Sequence, residues 1–161
     1  MKTIPTTEAH IETIKLRPSD IAEGFLSSGK SPKEALKFSV EESIWSYTVV
    51  GDDEKLLGVF GLARYEGYPL VGCPWFVCSE DIFLEMDRSK QFQVQFLRRC
   101  KEWVALMNKA FPVLTNLVDI HNVSAHRWLK WLGFEFHRTI PHGPFNHPFI
   151  QFVKCVNLPQ S

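Results

Sequence analysis

The residues of this chain best suited to chemistry crowd into one stretch, Asp119-Ile120-His121-Asn122-Val123-Ser124-Ala125-His126. Two imidazoles, which change charge near neutral pH, share it with a carboxylate and a hydroxyl, so protons can be given or taken there. His121 is the most attractive donor because it stands at a strand end; Ser124 and His126 are substitutes, and Asp119 and Glu66 are candidate bases. Each also has a plainer reading as a turn, edge or cap-flanking polar group. A second candidate is Arg88-Ser89-Lys90-Gln91, just ahead of the longest helical pattern. Two cations beside the open amides of a helix N-terminus can meet an anion, or they can be a solvated turn with Ser89 as the cap.

The elements around the first stretch are legible. Val113 to Ile120 is apolar without helical spacing, which predicts a buried strand. Asn122 can cap the helix that follows, and Ala125, Trp128, Leu129 and Leu132 recur at three- and four-residue intervals on one face. Trp131 lies off that face, either as an exposed contact residue or covered by a loop. Gly133 supplies a C-terminal stop, and Phe134 to Ile140 resumes extended. The longest helix carries a stripe of Phe92, Phe96, Cys100, Trp103, Met107 and Ala110 and is stopped by Pro112.

Upstream, Ile11 to Leu16 reads as an opening strand, and Ser19 or Asp20 as the cap of a helix closed by Gly29. Ser31-Pro32-Lys33-Glu34 has capping-box form and starts a short helix to about Val40. Trp45–Val50 and Leu56–Arg64 make a hairpin through Gly51-Asp52-Asp53-Glu54-Lys55. Leu70 to Cys78 is a third strand, in which Pro74 demands a bend or an edge. Glu80 to Lys90 reads as a connection. Pro141 to Pro148 reads as an irregular loop before a last strand, Phe149 to Val156. The expected architecture is a mixed, mostly antiparallel α/β sheet flanked by helices in one domain, 1–161, with loose ends at about 1–9 and 157–161.

Composition narrows the function. Eighteen basic residues balance eighteen acidic ones, so no global field draws nucleic acid or an anionic membrane. Met1 to Pro5 has no apolar core for export and no run approaches membrane-spanning length, which points to a protein of the cytosol. Cys73, Cys78, Cys100 and Cys155 contain no C-x-x-C pair, and His137, His142 and His147 have no metal-ligand spacing; reduced thiols, loop histidines and no metal are expected.

The strand, Asn-capped helix, Leu-Gly-Phe stop and strand resemble the second conserved motif of the GNAT acetyltransferase superfamily, carried here by Asn122, Ala125, Arg127 and Leu132-Gly133-Phe134. Over a wider stretch, Trp75-Phe76-Val77, the long helix and Pro112 to Phe136 resemble a family of short-tailed bacteriophage proteins. Its members are described as internal virion proteins or acetyltransferase-like proteins. The resemblance implies a GNAT-like acyl-CoA N-acyltransferase fold whose fourth and fifth strands splay to take acetyl-CoA. It places cofactor contacts at Val77, Cys78, Arg88, Ser89, Lys90, Gln91, Asn122 and Ala125, and catalysis at His121, Ser124 or Glu66. Arg88 matches the opening position of the superfamily's pyrophosphate loop; Gln91 and Gln93 stand at its small-residue positions, and Leu129 at its thiolate-protonating tyrosine. Two functions follow: acetyl-CoA-dependent N-acetylation, or a non-catalytic protein of the phage virion, of its assembly or directed at a host factor. Either acts in the host cytoplasm or the virion.

Overall fold

The computed structural model describes residues 1–156. The elements run β1 (Lys2–Pro5), α1 (Glu8–Thr13), α2 (Pro18–Ser28), α3 (Pro32–Glu42), β2 (Ser43–Val50), β3 (Leu56–Arg64), β4 (Val71–Cys78), α4 (Asp81–Arg88), α5 (Lys90–Ala110), β5 (Val113–Asp119), α6 (Val123–Trp131), β6 (Glu135–His142) and β7 (His147–Cys155). The strands form one sheet of order β1-β2-β3-β4-β5-β7-β6. Every pairing is antiparallel except β4 with β5.

The alternation of strand side chains divides the core between the two faces of the sheet. Phe60, Leu62, Leu114, Val118 and Phe152 pack under Phe92, Phe96, Val104 and Met107 of α5 and Leu129 of α6. Val59, Trp75 and Val77 point the other way, against Ile11 of α1 and Leu36 of α3. Burying each such large apolar side chain stabilises the fold by roughly 1.5–3 kcal/mol. The caps read from sequence hold the helices in register: Ser31 Oγ accepts from Glu34 N while Glu34 Oε2 accepts from Ser31 N. Gly29 and Gly133 take positive φ at the helix ends.

Several expectations need correction. The opening strand is Lys2–Pro5, paired with β2, and the Met1 ammonium meets Asp52 at 2.7 Å, so residues 1–9 are not a loose end. Ile11 and Ile14 are three residues apart, which is helical spacing, and Thr7 caps α1 with His10 as its reciprocal partner. Neither Ser19 nor Asp20 caps α2: Arg17 is its N-cap residue, without a side-chain cap bond. The stretch from Glu80 to Lys90 contains helix α4, with Ile82 buried. The Pro141–Pro148 segment is largely strand, because Pro141↔Pro148 and His142↔His147 extend the β6–β7 pairing to a tight turn at residues 143–146. Trp131 is exposed, with Lys101 Nζ 4.3 Å from its ring centroid. The expected loose end at 157–161 lies outside the described residues.

Candidate functional site

β4 and β5 pair backbone to backbone at their start, through Val71↔Val113 and Gly72↔Leu114. A Cβ on Gly72 would lie 2.6 Å from Phe111 Cδ2, so this joint closes only around glycine. Beyond it the strands diverge. Ser79 N bonds Leu57 O, and the β3–β4 register then makes Val77, Trp75 and Cys73 the residues hydrogen-bonded to β3. Pro74, Phe76 and Cys78 therefore turn their backbone groups toward the gap. This explains Pro74, whose missing N–H falls on the side with no strand to receive it.

The chain fills much of this gap itself. Asn116 Nδ2 donates to Pro74 O at 2.9 Å, and Asn116 Oδ1 accepts from Leu117 N at 2.8 Å, stitching β5 to β4. At the mouth, α2 supplies two carboxylates one turn apart. Asp20 Oδ2 accepts from Cys78 N at 2.8 Å, and Glu23 Oε1 accepts a short hydrogen bond from Asp119 N. Arg17 N donates to Cys78 O at 2.8 Å, and its guanidinium pairs with Asp20 at 3.0 Å. Both backbone groups of Cys78 are thus taken. Largely apolar cavity space of about 370 Å³ runs from the α2 carboxylates under α5 and α6, where Phe76, Phe96, Cys100 and Trp128 line it, and on toward Leu36 of α3 on the other face of the sheet.

Glu23 is the carboxylate most altered by this setting. Burial pushes its carboxyl up to about 7, against the bond from Asp119 N and with the charges of Asp20 and Asp119 adding to the rise. Asp119 goes the other way. Desolvation raises it, but the His121 amide and His147 more than offset that, so it lies below its ordinary value. Burial pushes the Cys78 and Cys100 thiols up to about 12.

Asn122 joins this network as the cap of α6: its Oδ1 accepts from Ala125 N at 3.4 Å, and its Nδ2 donates to Glu23 Oε2 at 3.5 Å. Ser124 is exposed; it donates to Asn122 Oδ1 and accepts from Arg17 Nη1 at 3.0 Å. His121 is exposed with Nδ1 3.4 Å from Asp119 Oδ1, and His147 Nε2 donates to the same oxygen at 2.7 Å. His126 Nε2 donates to Asp119 O at 2.9 Å, strapping the strand end to α6.

Glu66 is not part of the site. It sits in the β3–β4 turn, beyond the joint, and β4 separates it from Cys78 by about 20 Å at strand rise. Val77 is also displaced: its side chain packs with Ile11 and Leu36, and its backbone pairs with Val59. Arg88 ends α4 with an exposed side chain 3.9 Å from Glu85; Lys90 and Gln91 are exposed. Ser89 caps α5, its Oγ accepting from Phe92 N at 3.1 Å.

Solved structures share this fold over nearly the whole chain. A GNAT-family acetyltransferase from Bacillus anthracis aligns with TM-score 0.65 at 11% identity, covering 95% of this chain and 93% of that one. The fold is that of the GNAT N-acetyltransferases. A GCN5-related N-acetyltransferase from Kribbella flavida matches with TM-score 0.64 at 14% identity over 96% of this chain and 97% of that one. Spermidine N-acetyltransferase from Vibrio cholerae, in complex with CoA and spermine, matches with TM-score 0.62 at 9% identity over 96% and 94%. In sequence, a family described as "Bacteriophage T7, probable scaffold protein Gp13" matches residues 66–140, the stretch from the β3–β4 turn into β6. No curated protein matches the chain.

The GNAT fold implies acetyl-CoA between β4 and β5, and the residues here do not fit that group. Helix α4 stands between β4 and α5, where the superfamily carries its pyrophosphate loop. The Phe92 amide of α5 is capped by Ser89, and Gln91 and Gln93 put side chains where close backbone approach needs small residues. Cys78 N is held by Asp20, and Ala125 N by Asn122. Leu129, at the tyrosine position, is buried in the core.

The residues that sequence reading missed are Arg17, Asp20 and Glu23. Their signal was a one-per-turn stripe, i, i+3, i+6, on a helix whose apolar face is weak, but such a stripe ordinarily faces solvent. His147 was read as loop chemistry because nothing in its neighbours reveals that β7 returns it to Asp119.

Proposed function

We propose that this chain is a component of a phage virion or of its assembly, using the GNAT fold as a binding scaffold rather than for acetyl transfer. The observation that carries this reading is the occupation of the splay by the chain's own groups. Asp20 and Glu23 satisfy the two strand-end amides, and Asn116 stitches the strands between them. The match of residues 66–140 to a phage scaffold family supports the assembly context. Site residues lacking an enzymatic task still have a structural one: Asn122 caps α6, Ser124 accepts from Arg17, and His126 holds the end of β5.

The test is genetic. A phage lacking this chain should fail to form normal particles and should be rescued by a Glu23→Gln variant as well as by the wild type. Normal assembly without the chain, or rescue by the wild type alone when the variant folds normally, contradicts the reading.

One observation favours the acetyltransferase reading instead. Glu23, with a carboxyl near neutrality, lines largely apolar cavity space that reaches under α5 and α6. On that reading Glu23 would take the proton of the acceptor amine, and acetyl-CoA binding is the observation that would restore it.

A further inference from the structure

We propose that Asp119, His121 and His147 form a binding site for a divalent transition metal ion, with zinc as the ion of choice. Asp119 Oδ1, one nitrogen of His121 and one of His147 lie within 4.8 Å of one another. His147 Nε2 is 2.7 Å and His121 Nδ1 3.4 Å from the same carboxylate oxygen. Ligands of a tetrahedral zinc stand roughly 3.3 Å apart, given metal–ligand distances near 2.0–2.1 Å. A small rotation of His147 and of the exposed His121 therefore admits the ion, which takes the place of the His147–Asp119 hydrogen bond.

The three ligands come from two strand ends that the fold fixes. Asp119 ends β5 and His147 begins β7, while His121 follows Asp119 in the β5–α6 turn. The carboxylate is held before any ion arrives. Glu23 accepts from the Asp119 amide, His126 donates to its carbonyl, and the His121 amide donates to Oδ1 at 3.0 Å. Such outer-shell bonds orient ligands and raise affinity. Two imidazoles with one carboxylate suit zinc and its neighbours in the first transition row; magnesium and calcium prefer all-oxygen sites. His121 is 75% exposed at its side chain, so the fourth position opens to solvent, for water or a donor from a partner. The proposal is independent of whether the chain binds acetyl-CoA.

The experiment is calorimetric titration of the untagged, chelator-stripped full chain with zinc under reducing conditions, with magnesium as control. The expected result is one zinc site with a dissociation constant at or below about 10 μM and no magnesium binding. His121→Ala and His147→Gln should each weaken zinc by at least tenfold. Because the His121 side chain is exposed, the first variant keeps the fold and decides the matter alone if the second does not. Absence of saturable zinc binding, equal binding of magnesium, or a loss below tenfold in a folded variant overturns the proposal.

Discussion

Two strand-to-helix junctions lie side by side at the open end of the sheet, and they differ in what their residues touch. β5 passes directly into α6 through Ile120 to Asn122, and its residues reach inward: Asn122 is buried, and Leu129 and Leu132 enter the core. β4 reaches α5 only after the inserted helix α4, and Arg88, Lys90 and Gln91, at the facing ends of the two helices, point to solvent. The first junction follows the superfamily pattern, Asn-x-x-Ala-x-Arg and Leu-Gly-Phe, while the second departs from it at both small-residue positions. Packing dictates the residues of the first junction, whereas the pattern of the second would be required only by a phosphate.

Substitutions should separate the junctions in the same way. Leu129→Ala should lose about 2–4 kcal/mol in chemical denaturation, as for other buried leucines. Replacing both Arg88 and Lys90 by alanine should change stability by no more than about 0.5 kcal/mol, since exposed ion pairs contribute little. A large loss from the double change would mean that the second junction is packed after all.

The mouth between the junctions should reveal itself through pH. The Glu23 carboxyl keeps its proton to about 7 in the folded chain and loses it near 4.5 when unfolded. The native state then binds the extra proton between those values, so stability falls as pH rises across that window. Glu23→Gln removes this dependence. Relative to the variant, metal-free wild-type protein should lose about 3 kcal/mol between pH 4.5 and 7.5. Asp119 acts oppositely and elsewhere: its lowered value gives stability that is present above its unfolded value of 3.8 and lost as pH falls further. A difference between wild type and Glu23→Gln that stays flat with pH would remove Glu23 from the account.

The caps give effects between those of Leu129 and of the Arg88 and Lys90 pair. Asn122→Ala should cost about 1 kcal/mol and Ser89→Ala somewhat less, because only Asn122 also holds Glu23. Equal losses would show that the Asn122–Glu23 contact adds nothing.

The legible part of the sequence was whatever obeys local rules. Ser31-Pro32-Lys33-Glu34 capped α3, Leu56–Arg64 and Val113–Asp119 formed strands, and Asn122 and Gly133 bounded the second-motif helix with its cap and stop. Local rules also misled, as at Ile11 to Leu16, where alternation at Ile14 and Leu16 concealed the Ile11–Ile14 helical pair and the Thr7 cap. The site was harder to read because its partners are distant in the chain: Glu23 meets Asp119, Asp20 meets Cys78, and His147 meets Asp119. Only the sheet order, with β7 inserted between β5 and β6, brings the last pair together.

The most direct measurement of the central claim is calorimetric titration of the purified chain with acetyl-CoA, repeated on a variant with Arg88 and Lys90 both changed to alanine. The account predicts no saturable binding up to about 1 mM, where an affinity of even about −4 kcal/mol would register. Saturable binding by the wild type that the double variant loses would contradict it, because the β4–α5 junction would then hold the pyrophosphate after all.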